Sequence, residues 1–208
     1  MNALLVIDIQ NDFCPHGALE VPNGDQVIPV ANALMEHFDL VVATQDWHPG
    51  NHKSFAANHP WRKPGQVIDL NGTEQILWPM HCMQGTFGAE FAPGLDTNKF
   101  DRVFQKGTDP EIDSYSGFFD NSHQKSTGLG QYLKEQQVDT VHVVGLAADY
   151  CVKFTVFDAL RLGFTTYLVT DGTRGVNLAA DDTEKAMAEM AGRGAILVPS
   201  TRPFPGRA

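Results

Sequence analysis

The chain has 208 residues, 42% hydrophobic and 19% charged, with a formal net charge of −10. That length fits a single domain over residues 1–208, large enough to bury about 70% of the surface of its unfolded form. The acidic balance argues against nucleic acid or an anionic membrane surface as a partner, and no apolar run reaches the ~18 residues of a membrane span.

In chain order, residues 3–8 form a short apolar run that lacks the basic start and cleavage site of a signal peptide and reads as a strand. Residues 25–38 carry Val27, Val30, Ala31, Leu34 and Met35 on one helical face, and residues 40–44 are a second buried strand. Residues 46–100 break the rhythm. They are rich in Gly, Pro, His, Asn and Trp and only weakly periodic, which predicts a long functional loop rather than disorder. Strands follow at 102–105, 140–145, 165–170 and 195–198, with helices at 128–137, 151–160 and 180–192. The alternation predicts an α/β fold, three-layer α/β/α, with a doubly wound, mostly parallel six-stranded sheet. The tail, 199–208, reads as a surface-hugging or frayed end. Cys14, Cys82 and Cys151 form neither a CxxC pair nor an even framework, so the expected setting is the reducing cytoplasm.

Ligands of open α/β sheets bind beyond the carboxyl ends of the strands. Asp8, Asp46, Lys106, Cys151 and Asp171 all fall at such ends. Cys151 opens a helix directly after a strand, where unpaired N–H groups and the helix dipole favour an anion. Position alone leaves a small buried thiol equally open. A lysine ~4 Å from the sulfur contributes up to ~4 kcal/mol toward the thiolate before desolvation is subtracted. Asp8 is placed to take the thiol proton, although a turn-capping carboxylate and a solvated Lys106 are each as plausible taken singly.

Asp46-Trp-His48 and Trp78-Pro-Met-His81-Cys82 suggest a carboxylate and two imidazoles for Zn²⁺, Fe²⁺ or Mn²⁺, with His52, His59 and Glu90 nearby. Spacing this common also suits a purely structural reading. Cys82 reads better as a buried thiol than as a ligand, and His16, His37, His123 and His142 as residues without a special task. Phe13, Trp78, Tyr115 and Phe118 are aromatics that belong either to the core or to a flat slot.

Together, Asp8-Ile-Gln-Asn-Asp-Phe13, Gln45-Asp-Trp-His-Pro49, Trp78-Pro-Met-His-Cys82, Lys106-Gly107 and Val144-Gly-Leu-Ala-Ala-Asp-Tyr-Cys-Val-Lys153 resemble the nicotinamidases of the isochorismatase-like cysteine hydrolases. The match runs in order from the first strand to Asp171. The resemblance implies that Cys151 attacks the carboxamide of nicotinamide, releases ammonia and leaves a thioester that water hydrolyses to nicotinate. It implies proton transfer by Asp8 and stabilisation of the thiolate and Asp8 by Lys106. Asp46, His48 and His81 match ligands of one divalent metal, zinc first and Fe or Mn as alternatives, that holds the pyridine nitrogen. His52 matches a position that ligates in some relatives. Phe13, Trp78 and Tyr115 match ring-binding positions. Leu146-Ala147 matches a cis peptide, with the Ala147 and Cys151 N–H groups as the oxyanion hole. Pyrazinamide is the expected second substrate, and a homo-oligomer stays open.

Two positions depart from the pattern: His16 stands where glycine is common, and Ala148 is a variant third residue of its triplet. Amidases for N-carbamoylsarcosine or ureidoacrylate would keep Asp, Lys and Cys but have no use for the metal set. An isochorismatase proper needs no thiol. A metal hydrolase would leave turnover after loss of Cys151, and a binding domain would release no ammonia.

Overall fold

A computed structural model describes residues 1–204 of the chain; the last four residues of the predicted tail lie outside it. The elements run β1 (Asn2–Ile7), α1 (Val27–Met35), β2 (Leu40–Asp46), β3 (Val67–Leu70), β4 (Thr73–Ile76), β5 (Arg102–Lys106), α2 (Leu129–Glu135), β6 (Thr140–Leu146), α3 (Cys151–Arg161), β7 (Thr165–Arg174), α4 (Asp182–Gly192) and β8 (Ile196–Val198). Six strands form one sheet in the order β5-β2-β1-β6-β7-β8, every neighbour parallel. This is the α/β architecture expected from the alternating pattern. Among the described residues, no helix is long and apolar enough to cross a membrane.

Alternation along the strands divides the core. Leu4 and Val6 of β1 face α1 and the long loop, packing with Ala31, Leu34, Met35 and Cys82. Ala3, Leu5 and Ile7 face α2, α3 and α4, packing with Leu129, Val152, Val156 and Met190. Strands buried on both faces need continuous apolar runs, which is why β1, β2 and β6 read so clearly.

Three differences concern the site. β2 extends to Asp46 and β5 to Lys106, and these two residues pair in register, so both are strand residues rather than loop residues. The 46–100 segment contains an antiparallel hairpin, β3–β4, that its weak periodicity concealed. β7 continues to Arg174, and its Asp171 accepts from the Ser200 N–H at 2.7 Å, tying down the tail away from the other strand-end groups. Gly145 has φ +120, and a Cβ there would lie 2.1 Å from the Ile7 carbonyl oxygen. Its bare backbone lets β6 close onto β1 where Asp8 and Leu146 emerge.

Candidate active site

Strand ends deliver the reactive groups to one place. Asp8, just past β1, takes a left-handed φ of +46 and is fully buried. Thr44 on neighbouring β2 donates its hydroxyl to Asp8 Oδ1 at 2.7 Å. Lys106 Nζ donates to Asp46 Oδ1 at 2.6 Å and to the Ser114 carbonyl at 2.8 Å. The same Nζ lies 2.9 Å from Asp8 Oδ2, an ion-pair contact outside hydrogen-bond geometry, and 3.4 Å from Cys151 Sγ. Asp8, Lys106 and Cys151 thus meet, as do Asp46, His48 and His81. Asp171 stays apart.

The electrostatics differ from the expectation at the sulfur. Burial raises the Cys151 pKa, Lys106 opposes, and the Asp8 and Asp46 carboxylates raise it again, so the thiol is held well above its usual range. The cation loses because desolvation and two anions act against it. Asp8 is lifted to about 6, chiefly by burial, with Lys106 opposing and Asp46 adding. Burial penalises charge on Lys106, yet Asp46 and Asp8 outweigh it, and the ammonium stays charged. Asp46 is also penalised by burial, but Lys106 and His48 hold it below the ordinary carboxylate range.

Cys151 is the first residue of α3, after a cis Leu146–Ala147 peptide. Among the described residues, no acceptor takes the N–H of Ala147 or of Cys151. The Cys151 N–H belongs to the first turn of α3, where no intrahelical partner exists, and the Ala147 N–H four residues earlier is likewise uncommitted.

The second cluster has the chemistry of a metal site. His48 Nε2 is 3.5 Å and His81 Nε2 is 3.8 Å from Asp46 Oδ2. Nδ1 of His48 lies 2.9 Å from the Gly107 carbonyl, and Nδ1 of His81 lies 2.8 Å from the Pro79 carbonyl. A carbonyl only accepts, so each Nδ1 carries the proton and each Nε2 turns a lone pair toward Asp46. Burial and the neighbouring His48 push His81 down to about 4, keeping its ring neutral, while Asp46 outweighs burial at His48 and raises it. A divalent ion would compete with a proton for that His48 lone pair. These donors fit a divalent metal. His52 differs: the Ser54 N–H donates to its Nδ1 at 3.2 Å, which leaves the proton on Nε2, buried and without a partner. His59 bonds the Lys53 carbonyl and Glu90 is exposed; neither joins a ligand cluster, and Cys82 is fully buried outside both.

A narrow cavity of about 20 Å³ opens onto both clusters, lined by Asp46 and His81 of one, Cys151 of the other, and Phe13, Trp78, Tyr115 and Ala147. That is room for about one water, so the aromatic walls must part around a ring. Phe118 is not among them; it packs in the core against Phe164, because its backbone lies under α2 rather than at the sheet edge.

Several residues escaped the sequence reading. Tyr150 closes the slot, its ring perpendicular to Trp78 at 4.8 Å. Gln10 clamps Asp46, donating to its carbonyl and accepting from its N–H, both at 2.8 Å. Asp12 accepts from the Cys82 N–H at 2.7 Å, fixing the loop that carries His81. Both lie within the Asp8–Phe13 motif, which was the available signal. Asp113, buried in the slot wall, carried none.

An all-parallel α/β sheet with a buried cysteine, carboxylate and lysine beside a carboxylate–imidazole cluster defines the class of isochorismatase-like hydrolases. The isochorismatase domain family matches residues 2–202, and the chain belongs to that family. It is 48% identical to the nicotinamidase of Escherichia coli over 202 residues, covering 94% of this chain and 93% of that one. Among solved structures, it resembles a nicotinamidase/pyrazinamidase of Acinetobacter baumanii (46% identity, TM-score 0.93, 96% of each chain). It also resembles the pyrazinamidase of Pyrococcus horikoshii in complex with zinc (38% identity, TM-score 0.77, 95% of this chain and 98% of that one).

Proposed function

We propose that this chain is a nicotinamidase, hydrolysing the carboxamide of nicotinamide to nicotinate and ammonia, with pyrazinamide as a second substrate. The observation that carries the reading is Lys106 Nζ, which lies within 3.4 Å of Cys151 Sγ and 2.9 Å of Asp8, with Cys151 and His81 both lining the slot. The 48% identity to the Escherichia coli nicotinamidase supports the substrate.

The resting sulfur is a thiol, so proton transfer accompanies attack. Asp8 takes the Sγ proton as sulfur bonds to the carbonyl carbon, and the Ala147 and Cys151 N–H groups hold the oxyanion. When the tetrahedral adduct collapses, Asp8 gives the proton to the departing nitrogen and ammonia leaves a thioester. Asp8 then accepts a proton from water as its oxygen attacks; the C–S bond breaks, sulfur is reprotonated and nicotinate departs. Lys106 keeps Asp8 and the transient thiolate within reach of a fixed positive charge. Phe13, Trp78 and Tyr115 hold the ring.

Asp46, His48 and His81 would hold one divalent metal, zinc by preference for this O/N set, which supplies a Lewis-acid grip on the ring nitrogen, directly or through water. The zinc complex of the Pyrococcus horikoshii relative supports that choice. We leave His52 outside the ligand set, because its Nδ1 accepts from Ser54 and its Nε2 keeps the proton. The three free thiols suit the reducing cytoplasm.

Ammonia release from nicotinamide, pyrazinamide and a non-aromatic amide, with metal analysis of the same sample, tests the reading. Turnover of the two ring amides that Cys151→Ala abolishes is expected. Undiminished turnover in Cys151→Ala would sink the mechanism.

A further inference from the structure

The Tyr115 hydroxyl is surrounded by donors. Trp78 Nε1 donates to it at 3.0 Å and Gln75 Nε2 approaches it at 3.2 Å. The indole nitrogen has no acceptor function. The Gln75 amide nitrogen also faces the Ile76 carbonyl at 2.7 Å and Asp113 Oδ2 at 3.1 Å, two acceptors that fix it as the NH₂ end. Those two acceptors take both amide hydrogens, so the Tyr115 oxygen accepts from the Trp78 N–H, and among the described residues no acceptor lies within hydrogen-bond distance for its own proton. The side chain lines the reactive slot together with Trp78, Asp113 and Cys151. Burial and the nearby Asp113 keep the phenol protonated.

We propose that Tyr115 is a specificity-determining residue for ring amides, a hydroxyl whose proton has no partner in the protein and that favours diazine carboxamides over nicotinamide when their second nitrogen falls opposite it. This deepens the amidase reading above and rests on it, because the metal and the oxyanion hole fix how the ring lies. With the ring nitrogen and the carboxamide both anchored, a C–H of nicotinamide meets the hydroxyl and leaves its proton unused. Replacing that C–H by a ring nitrogen supplies an in-plane lone pair at no change of shape. A neutral hydrogen bond of this kind is expected to be worth about 3- to 10-fold in kcat/KM.

A walk of nitrogen around the ring tests it. Pyridazine-3-, pyrazine-2-, pyrimidine-5- and pyridazine-4-carboxamide keep one nitrogen meta to the carboxamide and place the second at each remaining ring position in turn. Values of kcat/KM are measured for these and nicotinamide with the wild type and Tyr115→Phe. The expected result is a uniform loss, from the stranded Trp78 N–H, plus a further 3- to 10-fold loss for one diazine relative to nicotinamide. A ratio of variant to wild type that is the same for all five rings overturns the proposal and leaves Tyr115 a packing residue. Should Tyr115→Phe fail to fold, Trp78→Phe, which keeps the hydroxyl but removes the N–H that fills its lone pair, is expected to shrink the same diazine's advantage; an unchanged advantage again overturns it. Should the wild type hydrolyse none of the rings, the amidase reading falls separately, and calorimetric binding of the five rings to the same proteins decides the donor's role on the same ratio.

Discussion

Thr44→Val removes one hydrogen bond and almost nothing else. Valine keeps the branched shape and the methyl that faces Gly117, while the 2.7 Å bond to Asp8 Oδ1 is lost. A hydrogen bond to a charged group contributes about 1.5–3 kcal/mol, which corresponds to about 1–2 pKa units. Burial already lifts Asp8 to about 6, and the Thr44 hydroxyl is one of the groups pulling it down. Without it the carboxyl should titrate at about 7–8. Only ionised Asp8 can take the thiol proton, so the acid limb of kcat/KM should move up by about 1–2 pH units. At pH 6 the loss is expected to be about 5- to 50-fold, narrowing to about 2-fold or less above pH 8. Stability should move with it. A carboxyl whose folded pKa exceeds its unfolded value binds more protons when folded, so stability falls as pH rises through that window. The Thr44→Val deficit should therefore be largest above pH 8 and shrink on acidification. Ammonia-release kinetics from pH 5 to 9, with thermal unfolding at pH 5 and pH 8, would measure both. An acid limb within 0.3 unit of the wild type's (roughly the precision of such a fit) would refute the reasoning.

Lys106→Met strands the buried Asp8 and Asp46 carboxylates and should cost about 3–5 kcal/mol, or about 6–20 °C of melting temperature. A melting point matching the wild type's would mean that the ammonium does not hold the cluster together. Gly107→Ala puts a Cβ 2.3 Å from His48 Cε1 at a φ of +63, and should weaken metal retention on the order of tenfold, read by metal analysis after dialysis. Full retention would exclude His48 as a ligand in this orientation. His142, pushed down to about 4 by burial and by Arg202, is neutral in the fold and protonated when unfolded between pH 4 and 6.5. The unfolded chain binds the extra proton there, so stability should fall by about 2 kcal/mol as pH drops through that window, after discounting for solvent screening. His142→Leu should flatten the decline in acid unfolding curves, and an equally steep fall would assign the loss elsewhere.

The residues themselves decided a good deal. Apolar periodicity marks β1, β2 and β6 because strands buried on both faces admit few polar residues, and a cysteine at the strand-to-helix junction is legible for the same local reason. Once the strands are parallel, their carboxyl ends share one edge, so Asp8, Lys106 and Cys151 had to be near neighbours. The hairpin β3–β4 was not legible, because its strands are short and mostly exposed and carry little hydrophobic signal. That Phe118 belongs to the core and that Tyr150 joins the slot was not legible for a related reason: an aromatic residue suits core and slot equally, and only the packed backbone says which it meets. The state of each group was decided later still. Whether the Cys151 sulfur rests as thiol or thiolate, which His52 nitrogen holds the proton, and that the Tyr115 hydroxyl accepts from the protein but keeps its own proton free all depend on partners such as Ser54, Trp78 and Asp46. Type and spacing along the chain carry the identity of the chemical groups, whereas desolvation and hydrogen-bond direction are set only when distant segments exclude water around them.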